Sequence, residues 1–193
     1  GHMEVAFALA ANEAVNVNAK DKYGNTPLLS ACWFGHKELA LALVAHKAVD
    51  VNAKNKDGKT PLHYACEKGL KEVALALAAN EAVDVNAKAK NGWTPLHFAC
   101  DEGHTEVALA LIDHKDISAT SLCSTYQKSK RTPLHYACRR GDTEVALALI
   151  AHEVVNVNVK DNKGKTSLYY ARRKKDLSEV VAQLLMSAAA QES

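Results

Sequence analysis

Gly58-Lys59-Thr60-Pro61-Leu62-His63-Tyr64-Ala65-Cys66-Glu67-Lys68-Gly69 decides the fold, because it comes back. Thr94-Pro95-Leu96-His97 and Thr132-Pro133-Leu134-His135 repeat its centre. Thr26-Pro27-Leu28-Leu29 is a weaker copy, and Thr166-Ser167-Leu168-Tyr169 a decayed one. The five threonines are spaced 34, 34, 38 and 34 residues apart. A period of this size marks one supersecondary unit stacked on itself rather than a single closed core. It excludes most enzyme folds before any chemistry is considered.

The unit encodes its own helices. Thr60 is a good N-cap, because its hydroxyl can accept from an orphan backbone N–H. Pro61 suits the first helical position, where no N–H is missed and φ is already helical. The spacing predicts a first helix over 61–68, ended by Gly69. A second helix starts near Lys71-Glu72, with Glu72 at the positive end of the dipole. Alternation over 73–79 also fits a strand, but its alanines, and the repeat context, favour a helix.

The motif and its spacing resemble ankyrin repeats, over nearly the whole chain. That resemblance implies helix–turn–helix units joined by β-hairpin-like loops, and an all-α solenoid. The expected organisation is a single ankyrin-repeat domain over 1–193. It divides into a partial repeat over 4–21, full repeats over 22–55, 56–89, 90–127 and 128–161, and a degenerate C-terminal capping repeat over 162–189. Gly1-His2-Met3 reads as a cloning remnant, and Glu4 to Asn12 mirrors Glu72 to Asn80, so the chain is expected to start at a second helix. This suggests a fragment of a longer protein; a degenerate natural cap is the other reading.

Three features depart from the family pattern. The period is 34, against about 33 for the family. The extra residue follows the second helix, where no glycine stands, so the chain is expected to leave that helix without a left-handed residue. An apolar residue recurs at Phe7, Leu41, Leu75, Leu109 and Leu147. It is read as structural, buried by rotation of the helix; a lateral surface for self-association is the alternative. Asp116 to Arg131 carries four more residues and has lost the Val-Asn-Ala-Lys phrase. That segment is either a recognition finger or tolerated length, since longer loops cost little entropy.

Net charge is +2 but unevenly spread: −3 over 1–126, +8 over 127–175 and −3 over 176–193. A basic end suggests an acidic partner surface. No apolar run approaches about 18 residues and no export signal is visible. Cys32, Cys66, Cys100 and Cys138 share one place in successive units. Stacked helices ~8–10 Å apart hold such residues beyond the reach of a disulfide. Four reduced, buried thiols are expected, in an intracellular protein (cytoplasmic or nuclear), with Cys123 the most accessible.

No catalytic motif stands out: there is no nucleophile elbow, phosphate loop, dinucleotide fingerprint or zinc-protease helix. The reading is a non-enzyme without cofactor. His63-x-x-Cys66 and its copies place two ligand types on one face, but zinc needs four that converge. In the family this histidine bonds locally and orders the threonine turn, so no metal is expected.

In the family, loop tips and first-helix ends line a concave binding face. The resemblance carries that role onto Tyr23, Asn25, Trp33, Phe34, Asp57, Lys59, Trp93, Asp101, Arg131, Arg139, Arg140, Lys163, Lys165, Arg172 and Arg173. Trp33 corresponds to Glu67 and Trp93 to Lys59. Aromatic and arginine side chains are enriched at binding hot spots; the alternative is that Trp33 and Phe34 cap the end of the stack. The expected function is protein–protein interaction, with an aromatic patch at the N-terminal end and a basic patch at the C-terminal end. The partner would be a protein with an acidic and apolar contact surface, bound by a monomer. Polyanion binding (nucleic acid or phosphoinositide) by the basic repeats, or a structural spacer within a larger protein, are the rival readings.

Overall fold

The computed structural model describes residues 3–10, 12 and 14–192, and the side chains of all of these except 3, 10, 120 and 192. Of the expected cloning remnant, Gly1 and His2 lie outside the described residues. Among those described there are helices and turns but no strand. Helix α1 spans Met3–Ala10, and four pairs follow: α2 Pro27–Phe34 with α3 Lys37–Val44, α4 Pro61–Glu67 with α5 Lys71–Ala78, α6 Pro95–Glu102 with α7 Thr105–Ile112, and, after the short α8 Ala119–Cys123, α9 Pro133–Arg140 with α10 Thr143–Ile150. The last unit holds α11 Ser167–Ala171, a 3-10 turn Lys175–Leu177 and α12 Ser178–Glu192.

Two rows result. First helices pack in the order α2, α4, α6, α9, α11, and second helices in the order α1, α3, α5, α7, α10, α12. The core is one continuous seam of leucine, valine, alanine and cysteine, in which Leu28, Leu62, Leu96 and Leu134 are at most 1% exposed. Among the described residues no first helix precedes α1. Val5 and Leu9 are therefore 55% and 50% exposed, where Val73 and Leu77 in the same places are fully buried.

Local chemistry sets each helix end. Thr26, Thr60, Thr94, Thr132 and Thr166 all hold extended N-cap conformations, and proline follows the first four of them to open α2, α4, α6 and α9. Gly103 ends α6 with φ 76°, where an L side chain is strained. The second helices close differently, on right-handed Ala45, Ala79, Asp113 and Ala151. After the first three of these, the next residue supplies a side-chain acceptor instead. Ala48 N–H donates to His46 Nδ1 (3.2 Å), Ala82 N–H to Asn80 Oδ1 (3.0 Å) and Asp116 N–H to His114 Nδ1 (3.1 Å). This is how the chain leaves these helices without glycine.

Units are tied by three ladders. In the hairpins, Lys56 N–H donates to Tyr23 O, Lys90 to Asp57, Gln127 to Asn91 and Asn162 to Ser129. Gly58 is required there, since a Cβ would sit 3.0 Å from Lys90 N. Behind them, Asn18, Asn52 and Asn86 each reach across to the next unit. Asn52, for instance, donates to Ala82 O (2.6 Å) and accepts from Asp84 N–H (2.8 Å). The third ladder is the histidines. Thr60 N–H donates to His63 Nδ1 (3.1 Å), and the opposite Nε2 meets Trp93 O of the following hairpin (3.1 Å). His97 and His135 do the same to Ser124 O (2.9 Å) and Lys165 O (3.1 Å). A carbonyl only accepts, so Nε2 carries the proton and Nδ1 is bare.

The unusual segments are now explicit. The apolar row lies between the two expectations: Phe7, Leu41, Leu109 and Leu147 are half-buried, and Leu75 is 37% exposed. The stretch 116–131 folds back on the stack, with α8 burying Leu122 and Ser121, and its turn takes Lys130 to φ 53°. Cys32, Cys66, Cys100 and Cys138 are free and buried, while Cys123 is partly exposed and its thiol donates to Val154 O (2.9 Å). In the last unit, α12 begins one residue later than its counterparts, so Val180 and Leu184 take the buried places of Val145 and Leu149. Its far end is latched: Gln191 Nε2 donates to Val155 O (2.9 Å), and Oε1 accepts from Val157 N–H (3.2 Å).

Candidate interaction face

Stacking the units lines up equivalent residues from the ends of the first helices. One column reads Trp33, Glu67, Asp101, Arg139, Arg173, and its neighbour Phe34, Lys68, Glu102, Arg140, Lys174. Core positions stay constant along the stack while these change from aromatic to mixed to basic. The hairpin tips run beside them.

At the N-terminal end Phe34 is 69% exposed, Tyr23 58% and Trp33 42%. Trp33 is not loose. Its ring stands edge-on to Tyr64 at 5.1 Å, and the Lys68 ammonium lies 4.3 Å from its centroid. Lys22 covers Tyr23 at 4.9 Å. Asn25 is half-buried. Its N–H donates to Asp21 Oδ1 (2.8 Å) and its Oδ1 accepts from Asn55 Nδ2 (3.2 Å), so it braces the first hairpin against the second.

Much of the middle of the face is internally paired. Asp57 is exposed at a hairpin tip. Lys59 pairs with Glu67 at 2.5 Å and lies over Tyr64 and Phe98 at 4.9 and 4.5 Å. Trp93 does not stand out as Trp33 does. It is half-buried, with ring contacts to Phe98 (4.4 Å), Tyr126 and Tyr136 (both 5.4 Å), and it stacks on His97. Asp101 is ion-paired with Arg139 of the next unit, and its carbonyl accepts from Arg140 (2.7 Å).

The basic end divides into committed and uncommitted cations. Arg131 donates to Asp161 Oδ2 (3.2 Å) and to the Tyr170 hydroxyl (2.8 Å). Burial alone would raise the Asp161 pKa. Hydrogen bonds from Tyr170, the N–H groups of Lys165 and Lys163, and Arg131 outweigh it and hold the carboxyl at about 2. Lys165 lies 4.2 Å from the Tyr169 centroid, and Arg173 reaches the Tyr169 hydroxyl at 3.4 Å. Lys163, Arg172, Lys174 and Lys175 have no acidic partner among the described residues. Two of the decayed positions supply this end. Arg172 stands where Cys138 stands one unit earlier, and Tyr169 takes the histidine place, 38% exposed.

The aromatic–cation bracing that links Trp33, Tyr64, Lys59, Phe98 and Trp93 was not visible in the sequence, because its members come from different units. The one available signal was the fixed aromatic at 64, 98, 136 and 170 beside a variable residue at 59, 93, 131 and 165.

His63 and its copies spend both ring nitrogens on the threonine turn and the next hairpin, leaving no lone pair for a metal. Among the described residues no three histidine, cysteine, aspartate or glutamate side chains are grouped to hold one. No described helix is long and apolar enough to cross a membrane.

Family models for ankyrin repeats match residues 9–65, 47–121 and 119–192. A comparison with curated proteins found no match. With matches running from residue 9 to residue 192, the chain belongs to the ankyrin-repeat family, whose members are generally protein–protein interaction modules and typically non-catalytic.

Proposed function

We propose that this chain binds another protein along the face formed by its first-helix ends and hairpin tips. The carrying observation is the graded column: exposed Trp33 and Phe34 at one end, an ion-paired middle, and cations without acidic partners at the other. The N-terminal rings suit an aromatic or aliphatic anchor. Arg172, Lys174 and Lys175 suit carboxylates. Four unpaired, buried thiols fit an intracellular setting.

Selection of peptides from a random library on the immobilised chain tests this reading. The expected winners carry acidic residues together with an aromatic or large aliphatic residue, and lose binding to Phe34→Ala and to Lys174→Ala/Lys175→Ala. Selected peptides that bind all these variants equally would overturn it.

The uncommitted cations also favour a second reading, polyanion binding. Affinity for a thymidine oligomer that falls steeply with salt, and exceeds that of every selected peptide, would support it.

A further inference from the structure

We infer, resting on the reading just given, that the partner segment is extended and carries its acidic cluster and its apolar anchor about 10–12 residues apart. The face fixes where each determinant can sit. The anchor belongs beside Trp33 and Phe34, the exposed rings at the end of α2. The acidic cluster is not placed in the middle units, where Glu102 has no basic partner among the described residues, Lys59 and Arg139 are paired with Glu67 and Asp101, Arg140 is bonded to the Asp101 carbonyl and Lys68 lies over Trp33. It belongs at the end of α11, against Arg172, Lys174 and Lys175.

Four steps separate these sites along the row α2, α4, α6, α9, α11. At ~8–10 Å per packed helix, the span is about 32–40 Å. An extended chain advances ~3.3 Å per residue and covers it in about 10–12 residues. The first-helix ends between these sites, Glu67, Lys68, Asp101, Glu102, Arg139 and Arg140, carry no net charge and no large exposed apolar group, so the intervening residues need only be small and neutral. Two weak contacts joined at the right length gain avidity without new contacts, and lose it when the linker cannot span both sites.

The test is a synthetic peptide series: a tetra-glutamate block joined to Leu-Phe by Gly/Ser linkers that set separations of about 4, about 11 and about 20 residues, in both chain directions, with each half alone as control. The separation of about 11 is expected to bind about tenfold or more tighter than about 4, and a few-fold tighter than about 20. Phe34→Ala should remove that advantage and leave the tetra-glutamate block unaffected. Lys174→Ala/Lys175→Ala should weaken the block itself. Binding that is independent of separation would overturn the spacing while leaving the protein-binding reading in place. Failure of every peptide to bind would overturn both, as would a thymidine oligomer binding more tightly than all of them.

Discussion

His63 shows how one side chain can serve both its own turn and the next unit. Its bare Nδ1 accepts from Thr60 N–H, and its Nε2–H donates to Trp93 O. A second proton would set donor against donor. Burial, the largest influence, depresses the pKa of both His63 and His97 to about 4, and it lowers that of His135 too. The unfolded chain binds these protons near pH 6.5, so stability is intact above 6.5 and is lost as pH falls towards 4. His63 and His97 should each contribute about 3 kcal/mol to that loss. Urea midpoints measured from neutral pH down to 4 should fall through this window; a flat profile would contradict the ladder. The thiols give a second prediction at this scale. Burial raises the pKa of Cys32 and Cys138 to about 12, and it raises those of Cys66 and Cys100 as well. Native-state alkylation should therefore label Cys123 first, and equal labelling of Cys66 would contradict the packing. Recurrence at a fixed period made the thiol column legible in the sequence. Trp93 was not, because Tyr126 and Tyr136, two of the rings that enclose it, lie more than 30 residues away.

Individual elements differ in how firmly their ends are set. Thr-Pro caps and turn glycines are local chemistry, so the first helices were legible to within a residue. The close of the second helices was legible only as a missing glycine; the His46, Asn80 and His114 acceptors that replace it emerge from geometry. The last unit is the weakest. Helix α11 is five residues long, Ser167 replaces proline, and Arg172 to Lys175 concentrate like charge. Among the described residues it has a neighbour on one side only. Residue-resolved hydrogen exchange should be faster in α11 and α12 than in α4 to α7, and uniform protection would contradict this. The sequence places the capping repeat over 162–189. Helix α12 runs on to Glu192, and Gln191 pins it to Val155 and Val157. Gln191→Ala should cost about 1 kcal/mol and speed exchange along α12 roughly fivefold. No change in α12 would show that the latch does not hold.

Across the whole molecule, the same repeat that fixes the core leaves the first-helix ends and hairpin tips to vary. The period alone announced a solenoid, and the charge imbalance announced a basic end. The division of that end into cations held by Asp161 and Asp101 and cations left without acidic partners required the fold. So did the finding that the apolar row on the second helices is half-buried rather than presented as a flat surface. The central claim is that binding runs along the first-helix ends and not along that row. Hydrogen exchange of the full chain, with and without the tightest peptide of the spacing series, tests it most directly. Protection should rise at the ends of α2 and α11 and at the hairpin tips, with α3, α5 and α7 unchanged. Protection gained in α3, α5 and α7, with the first-helix ends unaltered, would contradict the account.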